Sequence, residues 1–355
     1  MRILLLIRYF DFGGAENHVC ELANNLQASG HTVFVASRKG RQMDLLNPGI
    51  THYNLNFSSK KAVFHFFQLL HIVRRHKIQV IHAHQRLPLT IASALARVTN
   101  IPVVATIHNR LREDIRKRWV RKGFRKVITV SGNSFTGAQR DPILKDKSLC
   151  IPNGIEPAGK EIVASSEELH FYYISRLDSR HCTLLRFLFK EAWPAVIQKY
   201  PEAKLSVVGD GKGMTEIRKI VDGIELPEIK QSIQLKGYSP RISHTISDAS
   251  LVFGVGRVAM ESMASAVPVL SIKSNRLGPI ITTENFEAMK YGNFIDIESS
   301  GPDKSRFLRL ISDFIANQNY YKSEALILSK VVAETFQMNK VIDSTVKVYL
   351  EAAVL

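Results

Sequence analysis

Short runs of apolar, β-branched residues alternate along the chain with longer stretches in which apolar positions recur every three or four residues. In the first part the runs are RILLLI (2–7), TVFVAS (32–37), QVIHAH (79–84), PVVATIH (102–108) and KVITVS (126–131). Stretches of helical period lie between them, at 15–29, 62–76, 88–99 and 110–122. Near-continuous apolar strands separated by helices predict a parallel sheet covered on both faces. The pattern breaks around 155–168, where EPAGKEIVASSEE is polar, aperiodic and carries Pro and Gly, the marks of a linker. It then restarts with LHFYYIS (169–175), KLSVVGD (204–210), SIQLKGY (232–238), ASLVFG (249–254) and PVLSIKS (268–274), and NKVIDSTVKVYLEAAV (339–354) closes the chain as a helix. The expected architecture is α/β: two doubly wound parallel-sheet domains, 1–160 and 161–338, followed by a C-terminal helix over 339–355. Ligands of such sheets bind at the carboxyl ends of the strands, so the cleft between two of them is the expected site.

Composition narrows the class. With 45% hydrophobic and 23% charged residues, the 355-residue chain is an ordinary globular protein, not a disordered, collagenous or coiled-coil one. Cys20, Cys150 and Cys182 make no disulfide framework and show no zinc-site spacing, which favours a reducing cytosol. Ile3–Ile7 is too short for a signal sequence and is bracketed by Arg2 and Arg8. The most apolar longer stretch, 62–73, carries two histidines and a glutamine, so no membrane span is expected.

Charge changes the picture more. The net charge is +16, and residues 1–160 hold 25 Lys and Arg against 9 Asp and Glu, while the remainder is balanced at 23 each. Such asymmetry marks a face for nucleic acid or an anionic membrane. With no nucleic-acid recognition motif in the chain, a membrane is the expected partner and nucleic acid is not. Segment 110–126, RLREDIRKRWVRKGFRK, sets nine basic residues against Glu113 and Asp114 and interleaves Leu111, Ile115, Trp119, Val120 and Phe124. It reads either as a solvated surface helix or as an interfacial helix whose apolar residues enter the headgroup boundary.

Several residues carry candidate chemistry. Gly13 and Gly14 lie in a turn that opens a helix, where bare backbone N–H groups can meet an anion; a plain tight turn is the other reading, and the dinucleotide fingerprint does not occur. Gly254 and Gly256 end a strand, and a helix beginning near Arg257 would aim its N–H groups at a phosphate. Glu261, one turn on, can accept two sugar hydroxyls or simply favour the helix dipole. Arg176, Arg180 and His181 form a cationic cluster suited to a diphosphate, or a solvated loop. His108 ends a strand, where a hydrogen bonder reaches the site; a structural histidine would look the same. The histidines of HAH (82–84) are read as pointing to opposite faces of a strand and so not sharing a metal. No Asp-x-Asp pair occurs to hold a divalent ion.

Together, GGAENHVCELANNLQASGHTVFV, IHAHQRLPLTIASALA, TIHN, ITVS, IPNGI, ISRLD, LSVVGDG and ESMASAVPV, in this order, make the chain resemble the retaining glycosyltransferases of family 4, with the two-Rossmann GT-B fold. The resemblance covers nearly the whole chain and implies an N-terminal acceptor domain and a C-terminal domain for a nucleotide-sugar donor. It further implies that Gly13 and Gly14 lie against the donor phosphates or the reacting centre, that His108 contacts the donor sugar, that Arg176 holds the diphosphate and that Glu261 holds the ribose. Gly237 and Tyr238 would flank the base. The family is metal-independent, needs no further cofactor, and is thought to react by front-face attack in which the leaving phosphate takes the acceptor's proton. Its common work at the inner face of the cytoplasmic membrane implies a cytoplasmic, peripheral enzyme of lipid-linked, lipopolysaccharide or other envelope polysaccharide synthesis. Two positions depart from the pattern. Phe253 stands where a second glutamate is usual, and His181 where a lysine is usual, with Arg180 beside it to take the phosphate role. Competing expectations are a nucleotide-sugar epimerase of the same fold and a catalytically impaired member that serves as a binding module.

Overall fold

In a computed structural model the described residues are 1–11, 13–108, 115, 117–156, 168–239, 241–273 and 276–354. They form two compact units, 1–154 with 338–355, and 155–337. The expected linker lies almost wholly outside the described residues, as does the first half of segment 110–126.

The first unit is built on seven strands: β1 (Arg2–Tyr9), β2 (Thr32–Arg38), β3 (Thr51–Asn54), β4 (Val80–His84), β5 (Val103–Ile107), β6 (Lys126–Thr129) and β7 (Ser148–Cys150). They pair in parallel in the order β3-β2-β1-β4-β5-β6-β7. Five are the apolar runs read from the sequence; β3 and β7 are added at the two edges. THYN and SLC are short and only half-buried, because an edge strand shields less of the core. The helices are α1 (Gly14–Ala28), α2 (Ala62–Arg75), α3 (Arg86–Thr99), α4 (Arg118–Lys122) and α5 (Gly132–Gln139). Leu69, Ile72 and Val73 of α2, Leu89, Ile91, Ala92 and Leu95 of α3 and Val120 of α4 fill the core on one face of the sheet. Val19, Leu22, Ala23 and Leu26 of α1 fill the other.

The second unit holds β8 (His170–Ile174), β9 (Lys204–Val208), β10 (Ile233–Gly237), β11 (Leu251–Gly254), β12 (Val269–Lys273) and β13 (Arg276–Ile280), in the order β10-β9-β8-β11-β12-β13. All pairs are parallel except β12 with β13. The sequence RLGPI hides β13, since Gly and Pro interrupt the run and an antiparallel edge tolerates Pro. Its helices are α6 (Ser179–Phe187), α7 (Trp193–Lys199), α8 (Met214–Asp222), α9 (Pro227–Ser232), α10 (Ile242–Thr245), α11 (Arg257–Ala264), α12 (Phe286–Tyr291), α13 (Lys304–Ala316) and α14 (Gln318–Thr335). Trp193, Phe189 and Phe307 anchor its larger core.

The last helix, α15 (Met338–Val354), belongs to the first unit. Met338, Val341, Ile342, Val348, Tyr349 and Ala352 join the core on this face of the sheet, where α15 packs against α1, β4 and β5. The Tyr349 hydroxyl hydrogen-bonds His82 Nδ1 at 2.6 Å.

Segment 110–126 differs from expectation. Its described helical part is the single turn of α4, and Ile115, Val120 and Phe124 are buried at 6%, 0% and 1% exposure in the first unit's core. Side chains that hold the core together are not free to enter a lipid headgroup layer, so Ile115, Val120 and Phe124 make no apolar lipid face; Trp119 is half-buried, and Leu111 lies outside the described residues. Lys117, Arg118, Lys122 and Arg125 remain exposed.

A glycine loop joins two strand ends of the second unit. Gly209 has φ 141°, and a Cβ there would fall 1.9 Å from the Ser175 carbonyl oxygen. Leu177 N–H donates to Asp210 O at 3.0 Å and Gly209 N–H to Gly237 O at 2.7 Å, so the loop cannot retreat without losing both bonds. Gly209→Ala will therefore lower stability by about 3 kcal/mol or more, as expected for backbone overlap at a glycine-only φ. Urea unfolding followed by Trp fluorescence reports it, because buried Trp193 lies in this unit; an unchanged midpoint refutes the claim.

Candidate functional site

Two residue sets carry chemistry, one in each unit. In the first unit the strand order reverses between β1 and β4, the switch point at which doubly wound sheets bind ligands. Gly13 follows β1 and precedes α1 with φ 150°, a conformation that glycine alone adopts readily. A Cβ on Gly14 would meet nothing within 4 Å, leaving open space at the helix start. On the other side of the reversal, Gln85 precedes α3 with φ 62°. Its amide donates to Glu16 Oε1 at 2.8 Å and accepts from Arg8 N–H at 3.1 Å, bonds that offset the strain and tie the two helix starts together.

The same strand ends carry a histidine cluster. His84 Nδ1 lies 3.1 Å from His108 Nε2, and the His18 ring on α1 stands 5.4 Å from that of His108. The rings of His82 and His84 are 4.2 Å apart, which corrects the expectation that they point to opposite faces: residues two apart on a strand share a face. His82 Nε2 also contacts Thr106 Oγ1 at 2.7 Å. Burial, with lesser repulsion from His108, lowers the pKa of His82 to about 3. Burial lowers that of His108 to about 4. His84 is held well below its ordinary value by burial and then by its histidine neighbours. These three rings are neutral near pH 7, so His108 acts there as a hydrogen-bonding group and not as a cation. Among the described residues, no group of three or more His, Cys, Asp or Glu is arranged to hold a metal ion.

In the second unit the candidate residues gather at the carboxyl ends of β8, β10, β11 and β12. Asp178 caps α6 through its side chain, and three candidates converge on its carboxylate: Arg180 at 2.8 Å, His181 at 3.8 Å and Arg176 at 4.0 Å. Burial raises the Asp178 pKa, but the hydrogen bond from Arg180 and the nearby cations outweigh it, so the carboxyl is held below its usual range. Arg176 and Arg180 keep 51% and 65% of their side chains exposed and can turn to an anion. His181 is fixed differently. Its Nδ1 meets the Tyr173 hydroxyl at 2.6 Å, and burial lowers its pKa despite Asp178. It therefore supplies no full charge at neutral pH, unlike the lysine usual at this place.

Lys273, at the end of β12, is a residue that the sequence reading missed. Burial and then the Arg180 guanidinium lower its pKa, with Asp178 opposing, so it shares the electrostatic neighbourhood of the arginines. The signal was a lysine ending an otherwise apolar strand run, PVLSIKS.

Gly254 ends β11, where a Cβ would fall 2.5 Å from Val258 Cγ1; Gly256 caps α11 with φ 59° and donates its N–H to Asn293 O at 3.0 Å. This close turn brings the start of α11 to the strand ends. Arg257 Nε hydrogen-bonds Glu261 Oε1 one turn along the helix, both side chains being mostly buried. Gly237, with φ 72°, ends β10 and leads to half-buried Tyr238. Phe253 is fully buried against Phe171 and Phe307, so position 253 presents no polar group to a ligand. Within this unit, two exposed guanidiniums, an ammonium, a helix start and a carboxylate suit a phosphate-bearing ligand with vicinal hydroxyls.

Comparison with known proteins points the same way. Residues 12–158 match the Glycosyltransferase Family 4 model and residues 168–289 the Glycosyl transferases group 1 model. A curated relative from Arabidopsis thaliana, one subunit of phosphatidylinositol N-acetylglucosaminyltransferase, is 26% identical over 64% of this chain, and the match spans 57% of that protein's length. Alpha-monoglucosyldiacylglycerol synthase of Streptococcus pneumoniae is 22% identical over 82% of this chain and 76% of its own. Among solved structures, Anabaena HepE in complex with UDP-glucose superposes with a TM-score of 0.77 at 17% identity, covering 98% of this chain and 99% of that one. The fold is thus GT-B.

Proposed function

Because the chain belongs to the family 4, group 1 glycosyltransferases, we propose that it is a retaining enzyme that moves a sugar from a nucleotide-sugar donor to a lipid-linked or envelope glycan acceptor. The observation that carries this reading is the second unit's set: Arg176, Arg180 and Lys273 near one carboxylate, together with Glu261 and the start of α11. The arginines and Lys273 hold the donor diphosphate, Glu261 the ribose hydroxyls, and Gly237 with Tyr238 the base. In the first unit His108, neutral, hydrogen-bonds the donor sugar, and Gly13 and Gly14 border the reacting centre. The acceptor oxygen attacks the anomeric carbon on the face from which the diphosphate leaves. One C–O bond forms, the C–O bond to phosphate breaks, and the proton passes to the departing phosphate oxygen. The names of two curated relatives, a phosphatidylinositol N-acetylglucosaminyltransferase subunit and an alpha-monoglucosyldiacylglycerol synthase, support a lipid-linked acceptor.

Thermal-shift screening with UDP, GDP, ADP and CMP and their sugars tests donor binding. A ligand at 100 times its dissociation constant stabilises by ~2.7 kcal/mol. A shift with none of them overturns the reading.

Transfer is expected to proceed without a divalent ion, since the fixed cations stabilise the departing phosphate in place. Activity will survive excess chelator. Complete loss, restored by magnesium or manganese, refutes this. Buried Phe253 and neutral His181 favour a second reading, an impaired member that binds donor without turnover. Nucleotide binding with no transfer to any glycolipid acceptor would establish it.

Among the described residues no helix is long and apolar enough to cross a membrane. The proposed location is cytoplasmic, peripheral on the inner face of the cytoplasmic membrane.

A further inference from the structure

Helix α2 is apolar on two sides. His65, Leu69, Ile72 and Val73 face the core, as any surface helix of a sheet domain requires. On its other side Val63, Phe64 and Phe67 are 72%, 60% and 60% exposed. Positions i, i+1 and i+4 fall on one side of a helix, so these three form a contiguous wedge. Lys60 and Lys61 stand exposed just before it, and His71, Arg74 and Arg75 just after, along the same outer side. Charge selects what covers the wedge. Residues 45–112 contain nine Lys and Arg and no Asp or Glu.

The helical layer extends this surface. On the same face of the sheet α2 packs on α3 and α3 on α4. Arg97 of α3 and Lys117, Arg118, Trp119 and Lys122 at α4 line an open groove. The Arg97 guanidinium lies over the Trp119 ring at 5.3 Å, and a half-buried indole beside cations is suited to headgroup level.

We propose that the outer side of α2 docks the first unit on an anionic lipid bilayer. Val63, Phe64 and Phe67 enter the headgroup–acyl boundary, the lysines and arginines at both helix ends lie among the headgroups, and the groove between α3 and α4 takes a lipid phosphate. A helix with an apolar strip and cations at its two ends lies flat in the interface. An acidic protein surface would pair with the cations but would leave three large apolar side chains without a matching environment. The inference rests on the lipid-linked acceptor reading above, and it replaces segment 110–126 as the element that penetrates.

Flotation of the full chain with liposomes tests it. Wild-type protein will float with vesicles containing phosphatidylglycerol and not with pure phosphatidylcholine, and less so at high salt. Phe64→Ser combined with Phe67→Ser, both on the open side, will lower partitioning at least tenfold with an unchanged melting temperature. The matched control, Leu326→Ser with Ile327→Ser on the exposed side of α14, will float like wild type. No flotation of the wild type, flotation indifferent to lipid charge, or equal flotation of the α2 variant each overturns the proposal. Thermal shifts with nucleotides, measured on the same samples, report the donor site separately, so a failed docking surface is distinguishable from a failed transferase.

Discussion

Between pH 7 and pH 5 the first unit will lose about 2 kcal/mol of stability for each of two histidines, His82 and His108, whose pKa values stand at about 3 and about 4. The sign follows from proton uptake. Burial holds both below the unfolded value of 6.5, so the unfolded chain binds protons across this range while the folded unit refuses them. Stability is fully present above pH ~6.5 and falls as the pH drops toward the folded-state values. His84, lowered further by its neighbours, adds to the same slope. Carboxylates with lowered pKa, such as Asp178, lose their contribution only at lower pH, which isolates the histidines in this window. Urea unfolding at pH 7, 6 and 5 measures the slope. A His82→Gln variant, keeping a partner for the Tyr349 hydroxyl, will have a shallower one. A flat profile above pH 5 would show that these rings are not buried neutral.

Replacing Glu261 by Ala will cost ten- to more than hundredfold in kcat/KM for the donor, the equivalent of roughly 1.5–3 kcal/mol of charge-assisted hydrogen bonds to the ribose. The carboxylate is held ready, because Arg257 one turn earlier fixes one oxygen and most of the side chain is shielded. Glu261→Gln preserves the shape and will recover part of the loss. Unchanged donor affinity and rate in both variants would remove Glu261 from the site.

Buried strands were the most legible feature of the sequence. A parallel strand covered on both faces must be apolar throughout, and VVATI, buried along its whole length, shows why such runs stand out. The edges did not stand out. Strands β3, β7 and β13 are short, partly polar or broken by Gly-Pro, since an edge makes weaker demands on its residues. Apolar stripes were found in the right places but not their partners. Ile115, Val120 and Phe124, read as part of either a solvated helix or a lipid face, are core, whereas 62–76, read only as a stretch of helical period, leaves two phenylalanines in the open. A hydrophobic period says that a face is covered, not by what. The local motifs around Arg176, Gly254 and Glu261 could be placed at strand ends because glycines and helix starts mark those ends. Lys273 and the grouping of His18, His84 and His108 depend on which strands become neighbours, and that is set by sheet order rather than by distance along the chain.

The return of α15 to the first unit has a consequence in time. Tyr349 closes the core over His82, 267 residues earlier in the chain. At roughly 5–20 residues per second, a ribosome needs on the order of tens of seconds between delivering one and the other. Throughout that interval the face of the sheet that α15 covers has part of its apolar surface open, while the second unit emerges and folds between the two parts of its partner. A nascent chain in this condition is a natural client for chaperones, and the wait ends only when the last helix is released.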